Sequence, residues 1–184
     1  MHYIGIDESC INFKPGGRTR AATLALCYSN NPDDVILSDK ELQKIKSFKK
    51  EFFEYSFLYS YELKDMIHDK YINLTAQLIE ECRNRFCRKQ APIKVYFHGF
   101  HRIYTYDDAR KLQQDSNFKG EIEILTGDDT GHPLVHRADN LARMLSWIHG
   151  DLNDKDVQRK VKNIKEQCPD LGERLKRCLV NGVL

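Results

Sequence analysis

No stretch of this sequence approaches the roughly 18 consecutive apolar residues that a membrane-spanning helix requires, so a spanning protein is not expected. The first residues hold no basic segment leading into an apolar run, which argues against a secretory leader and for a cytoplasmic location. Six cysteines (10, 27, 82, 87, 168 and 178) include no C-x-x-C pair. The Cys82 to Cys87 spacing is wrong for a zinc knuckle, and no histidine follows at finger spacing. Structural zinc is therefore disfavoured, and the thiols are expected to be reduced. Internal repeats and low-complexity linkers are lacking too, which removes solenoids and disordered tethers from consideration.

A large excess of one charge is also missing. The formal net charge is +2, so the whole molecule is no polycation. The sign is patchy, however. "KELQKIKSFKK" (40–50) carries five Lys against one Glu, "CRNRFCRK" (82–89) carries four basic residues and no acid, and Lys155 to Arg177 holds eight basic against four acidic residues. Such stretches are either phosphate contacts or solvated helix faces. With 184 residues, 41% hydrophobic and 30% charged, the chain has the length and composition of one globular domain with a substantial core.

The pattern of elements is legible. "HYIGID" (2–7) and "AATLALCYS" (21–29) read as strands separated by the turn "NFKPGGRT", and "EFFEYSFLYSY" (51–61) as a third. "SDKELQKIKSF" suits a helix capped by Ser38 or Asp39. A long helix is expected over about 69–88, where Ile72, Thr75, Ala76, Ile79, Cys82 and Phe86 fall near helical spacing. Then come a strand "IKVYFHGF" ending near His98, a short helix at 106–115, a strand "EIEIL" (121–125) and a strong helix "LVHRADNLARMLSWI". The tail from 151 reads as helical, broken by Pro169 and Gly172. Three strands joined by turns predict an antiparallel meander, and the alternating second half predicts parallel additions to the same sheet. The expected architecture is α/β: a central five-stranded mixed sheet flanked by helices over 1–150, with a helical C-terminal extension, 151–184, packed on the same domain.

Two acids close the first strand, in "YIGIDESC" (3–10), where adjacent carboxylates repel and propensity disfavours them. From the residues alone Asp7 either starts a turn or is delivered to a site. The order of elements and the "GIDES" segment resemble the ribonuclease H-like superfamily. "GIDE" is similar to the opening of type 2 ribonucleases H, and "IDES" to the I-D-E-S-G opening of a widespread uncharacterised ribonuclease H-like family. In that family a late helix begins with a segment like P-L-I-Q-L-A-D-L, which "PLVHRADNL" (133–141) resembles; "HRAD" (136–139) also resembles the corresponding helix of RuvC-type nucleases. The resemblance covers residues 2 to 149, on these two short motifs.

The resemblance implies a divalent-metal-dependent nuclease hydrolysing phosphodiester bonds in RNA, RNA/DNA hybrid or structured DNA. Its cofactor would be Mg²⁺ or Mn²⁺ and its partner nucleic acid. Such sites hold two ions about 3.5–4 Å apart on carboxylates. Asp7, Glu8 and Asp139 are the implied catalytic acids, with Asp7, Asp139, Asp129, His136 and His98 as metal ligands. Asp129, with Asp128, follows the fifth strand, where type 2 enzymes supply an acid. Arg137 and Arg143 would hold flanking phosphates.

Local geometry qualifies this set. Strand alternation sends Asp7 and Glu8 to opposite sides, so Glu8 either bends inward at the strand's end or stays solvated. On the late helix Leu134, Ala138, Leu141, Leu145 and Ile148 define the apolar face; Asp139 falls at its edge and His136 almost opposite its centre. Relatives usually end the fourth strand with an acid, where this chain has His98, a better ligand for Mn²⁺ than for Mg²⁺. The missing charge would otherwise come from Glu62, Asp65 or Glu81. Cys10 stands where the I-D-E-S-G family has Gly. The alternative reading is a ribonuclease H-like binding or regulatory module whose catalytic cluster has degenerated.

Overall fold

The computed structural model describes residues 1–9, 21–35, 56–62, 68–87, 91–98, 106–115, 120–125, 132–150 and 155–181. Strands β1 (His2–Ser9), β2 (Ala22–Ser29) and β3 (Ser56–Glu62) form the expected antiparallel meander. Strand β4 (Ile93–His98) joins the other side of β1 in parallel, and β5 (Gly120–Leu125) joins β4 in parallel. Helix α1 (His68–Phe86) separates β3 from β4, α2 (Tyr106–Asp115) separates β4 from β5, and α3 (Pro133–Ile148) follows β5. The helix expected over the 38–48 region lies outside the described residues.

The C-terminal segment departs from its all-helical reading. Helices α4 (Lys155–Gln167) and α5 (Leu171–Cys178) break around Pro169 as expected, but Gly172 lies within the first turn of α5. A short strand, β6 (Leu179–Asn181), then pairs in parallel with β3. The sheet order is β5-β4-β1-β2-β3-β6, which keeps β1 interior. Five strands in the predicted order thus gain a sixth at the β3 edge. The tail escaped prediction because β6 is only three residues long and its partner supplies the edge.

Strand alternation sorts the core into two layers. Ile4 and Ile6 of β1, Leu24 and Leu26 of β2 and Leu58 of β3 pack with Leu78, Ile79 and Cys82 of α1. Ala25 and Cys27 of β2 and Phe57 and Tyr59 of β3 pack on the opposite face with Leu134, Ala138, Leu141 and Leu145 of α3. Ile164, Leu171 and Leu175 of the tail belong to that second layer. Helices cover both faces, so the strands are apolar on both sides, which explains their near-continuous hydrophobic runs. No described helix is long and apolar enough to cross a membrane.

Candidate active site

The start of α3 sets the geometry around Asp7. His132 caps the helix in extended conformation and Pro133 occupies the first turn, where its fixed φ and missing N–H are no handicap. The His132 ring packs over Tyr96 of β4 with centroids 3.8 Å apart. Tyr96 is the register partner of Gly5, and a Cβ on Gly5 would stand 2.3 Å from the Leu134 carbonyl carbon. Only a residue without a side chain allows α3 to sit this close to β1.

Asp7 follows Gly5 by two positions and therefore faces the same helix. Its register partner Ala25 packs in the α3 layer with Ala138. The side chain is 3% exposed, and Oδ1 accepts the backbone N–H of Glu8 at 2.8 Å. A carboxylate so buried on an inner strand is costly in a molecule that uses it only for structure.

Glu8 does not bend towards the Asp7 face. Alternation carries it to the α1 face, where it is half-buried and its Oε2 accepts a long hydrogen bond from the Tyr71 hydroxyl at 3.2 Å. The strand continues through Ser9, so the backbone has no turn at which Glu8 could reverse direction.

Helix α3 runs in the same sense as β1. It meets β1 at Leu134 and ends near Ala21, whose N–H donates to Ser146 O at 2.9 Å beyond the β1 carboxyl end. From Leu134 to Asp139 the helix advances about 7.5 Å, and from Gly5 to Asp7 the strand advances about 6.7 Å. Asp139 is thus carried the same way as Asp7 on the same side of the sheet. It is half-buried and paired with Arg143 at 2.8 Å; the Arg143 guanidinium also donates to Asn140 Oδ1 at 2.8 Å. His136 is half-buried in the first turn, its N–H bonded to His132 O at 2.9 Å.

Arg137 is not placed as expected. It is 3% exposed, and its guanidinium lies 3.9 Å from Asp34 in the 3₁₀ turn Pro32–Val35 after β2. Asp34 in turn accepts the Ser29 hydroxyl at 2.5 Å. A buried guanidinium facing the turn is poorly placed for a surface phosphate contact, whereas the Arg143 side chain is half-exposed. The spacing held the signal: Arg137 lies three residues after Leu134 and four before Leu141, on the apolar face. Tyr71 and His132, which sequence reading overlooked, carried no comparable signal.

The oxygen chemistry of Asp7 suits Mg²⁺ or Mn²⁺, and Asp139 is a described acid on the same side of the sheet. Among the described residues no three His, Cys, Asp or Glu side chains form a group able to hold an ion. Asp128 and Asp129 lie outside the described residues, as does the side chain of His98. The His98 backbone ends β4 one position beyond Phe97, the register partner of Ile6.

Two solved structures are similar to the chain at a low level. One similar solved structure is the crystal structure of the ribonuclease H2 from Pyrococcus horikoshii OT3, 12% identical, covering 96% of this chain and 98% of that chain with a TM-score of 0.45. Another is the structure of the PCNA:RNase HII complex from Archaeoglobus fulgidus, 15% identical, covering 90% of this chain and 76% of that chain with a TM-score of 0.44. No family model matches the chain, and no curated protein matches its sequence. The mixed α/β arrangement described here rests on this chain's own strand order and directions.

Proposed function

We propose that the chain is a cytoplasmic, divalent-metal-dependent nuclease that hydrolyses phosphodiester bonds in RNA, RNA/DNA hybrid or structured DNA. The observation that carries this reading is the buried Asp7 carboxylate on an inner strand, facing the helix that bears Asp139. In this reading Asp7 and Asp139 hold Mg²⁺ or Mn²⁺, with Asp129, His98 and His136 as further ligands. The metal supplies activation of water and charge neutralisation at the phosphate. Asp7, fixed by its bond to the Glu8 N–H, offers its carboxylate in one orientation and lowers the cost of ordering the site. Arg143, paired with Asp139, would offset that carboxylate's charge in the absence of a cation and lies exposed where it would meet a flanking phosphate. Glu8 acts indirectly by holding the strand end to Tyr71.

A specific observation favours the second reading, a non-catalytic nucleic-acid-binding or regulatory module: the Asp139 carboxylate is already paired with Arg143. Titration with Mn²⁺ and Mg²⁺, followed by thermal shift, separates the two, because an ion that binds only the folded state raises Tm by mass action. An activity panel with Mn²⁺ across single strands, duplexes, hybrids and junctions then names the substrate. Cleavage abolished by Asp7→Asn and by Asp139→Asn supports the nuclease. A protein with no Tm response to either ion and no cleavage belongs to the second reading.

A further inference from the structure

Two of the basic stretches in the sequence, 82–89 and 155–177, converge at one place in the fold. Arg85 comes from the last turn of α1, and Arg174 and Arg177 come from α5. All three line a cleft of about 270 Å³ at the amino end of β3, floored by Phe57 and Leu58 and walled by Phe86. Strand β6 makes this possible. By pairing with β3 directly after α5, it brings α5 alongside the end of α1.

Among the described residues the lining includes three arginines and no acid. Arg85 is held in place from behind: its Nε pairs with Glu81 at 2.5 Å, and Nη1 donates to the Arg177 carbonyl. Arg174 lies over the Phe57 ring, 5.7 Å from its centroid, so its charge is set against an apolar floor. Cys178 reports the convergence independently. Burial pushes its thiol up, while Arg174, Arg85 and Arg177 all pull it down. Three like charges around one partly desolvated cleft repel each other; Glu81, behind Arg85, and the backbone carbonyls at the ends of α1 and α5 relieve part of that repulsion, and a bound anion would relieve more.

The geometry points to an anion-binding cleft that takes a phosphate group, with Arg85, Arg174 and Arg177 as its donors. Guanidinium forks match the tetrahedral oxygens of phosphate and bind them through paired, charge-assisted hydrogen bonds. The cleft is separate from the Asp7 region. Ser56 at its mouth registers through Tyr28 with Ile4, three residues before Asp7 and two strands away. The proposal therefore stands independently of the nuclease reading. The phosphate belongs either to a small molecule or to the end of a nucleic-acid strand, and the two sources share this chemistry.

The test is titration calorimetry on the full chain in EDTA, which removes divalent ions from the Asp7 region. The probes are inorganic phosphate, adenosine 5′-monophosphate, and a short oligothymidine with and without a 5′-phosphate. Binding of the first two marks a small-molecule site; binding of the 5′-phosphorylated strand alone marks a strand-end site. In either case Arg174→Gln/Arg177→Gln should weaken binding by at least about tenfold. Ser56→Glu places a carboxylate at the exposed mouth without touching the arginines, and it should do the same. Thermal melts confirm that both variants are folded. If no phosphate-bearing probe binds, or if both folded variants bind as tightly as the parent, the cleft is not an anion site.

Discussion

Gly5 lies directly under Leu134: a β-carbon on Gly5 would come within 2.3 Å of the Leu134 carbonyl carbon and 2.6 Å of its Cβ. The obstacle is helix backbone, which cannot rotate aside. Gly5→Ala is therefore expected to push α3 off β1 and destabilise the protein by about 2 kcal/mol or more, at the upper end of overpacking costs. Equilibrium unfolding in urea measures this. A change below about 0.5 kcal/mol would show that the helix can shift freely and that the close approach is not required.

Asp7 should behave oppositely in stability and in function. Burying a carboxylate carries a desolvation cost that a neutral amide largely avoids. Without divalent ions, Asp7→Asn is expected to leave Tm unchanged or raise it. The same substitution should eliminate any Tm rise produced by Mn²⁺. Paired thermal melts with EDTA and with Mn²⁺ decide the point, and a variant that still responds to Mn²⁺ places the ion elsewhere.

Arg137 and Asp34 test whether the inward arginine is structural. Removing one member of a buried pair leaves the other charge poorly compensated, at about 3–5 kcal/mol in fully buried cases. Asp34 is partly exposed and 3.9 Å away, so Asp34→Ala should cost less, about 1–2 kcal/mol, including the lost Ser29 bond. Arg137→Met combined with Asp34→Asn should recover much of that loss. In nucleic-acid binding, Arg143→Ala should flatten the salt dependence while Arg137→Met combined with Asp34→Asn leaves its slope alone. A slope lowered equally by both would restore Arg137 as a phosphate contact.

His149 gives the protein an acid-sensitive joint. It caps the end of α3, lies flat on Tyr61 with centroids 3.8 Å apart, and sits 3.0 Å from the Tyr59 hydroxyl. Burial lowers its pKa to about 4, and burial also pushes the Tyr59 phenol up, so both groups stay neutral in the folded state. A folded pKa below the unfolded value of about 6.5 means that the unfolded chain takes up the proton first. Stability from this group is present above pH 6.5 and declines as pH falls towards 4, by an amount on the order of 2–3 kcal/mol. His149→Phe keeps the ring stack without the titration. Its stability, subtracted from that of the parent across pH 4 to 7, should trace this decline; a flat difference would refute it.

How much of this was legible depended on whether the signal was local. Strands β1, β2 and β3 and their antiparallel succession were local signals and were read from the sequence. Asp7 stood out because carboxylates are unusual at a strand's end. Gly5 did not, since its requirement comes from a helix 129 positions later in the chain. The burial of Arg137 was written in its helical spacing, but the resemblance cast it as a phosphate contact and that spacing was not weighed. Strand β6 owes its existence to the open β3 edge, a partner that no three-residue window can reveal.

The interior position of β1 also fixes an order of events during synthesis. Its antiparallel partner β2 is made almost immediately, whereas its parallel partner β4 ends at His98 and its covering helix α3 only at Ile148. While the chain is being translated, the Asp7 face of β1 has no roof until most of the described residues have left the ribosome. Parallel pairing across such a separation is slow to form compared with a hairpin. Until then the β1–β2 hairpin exposes apolar surface of the kind that chaperones bind. Ribosome-stalled chains ending before α3 should be cut by protease within β1 and β2. Chains long enough to release α3 should be protected there, with Asp7 becoming buried only in this last stage.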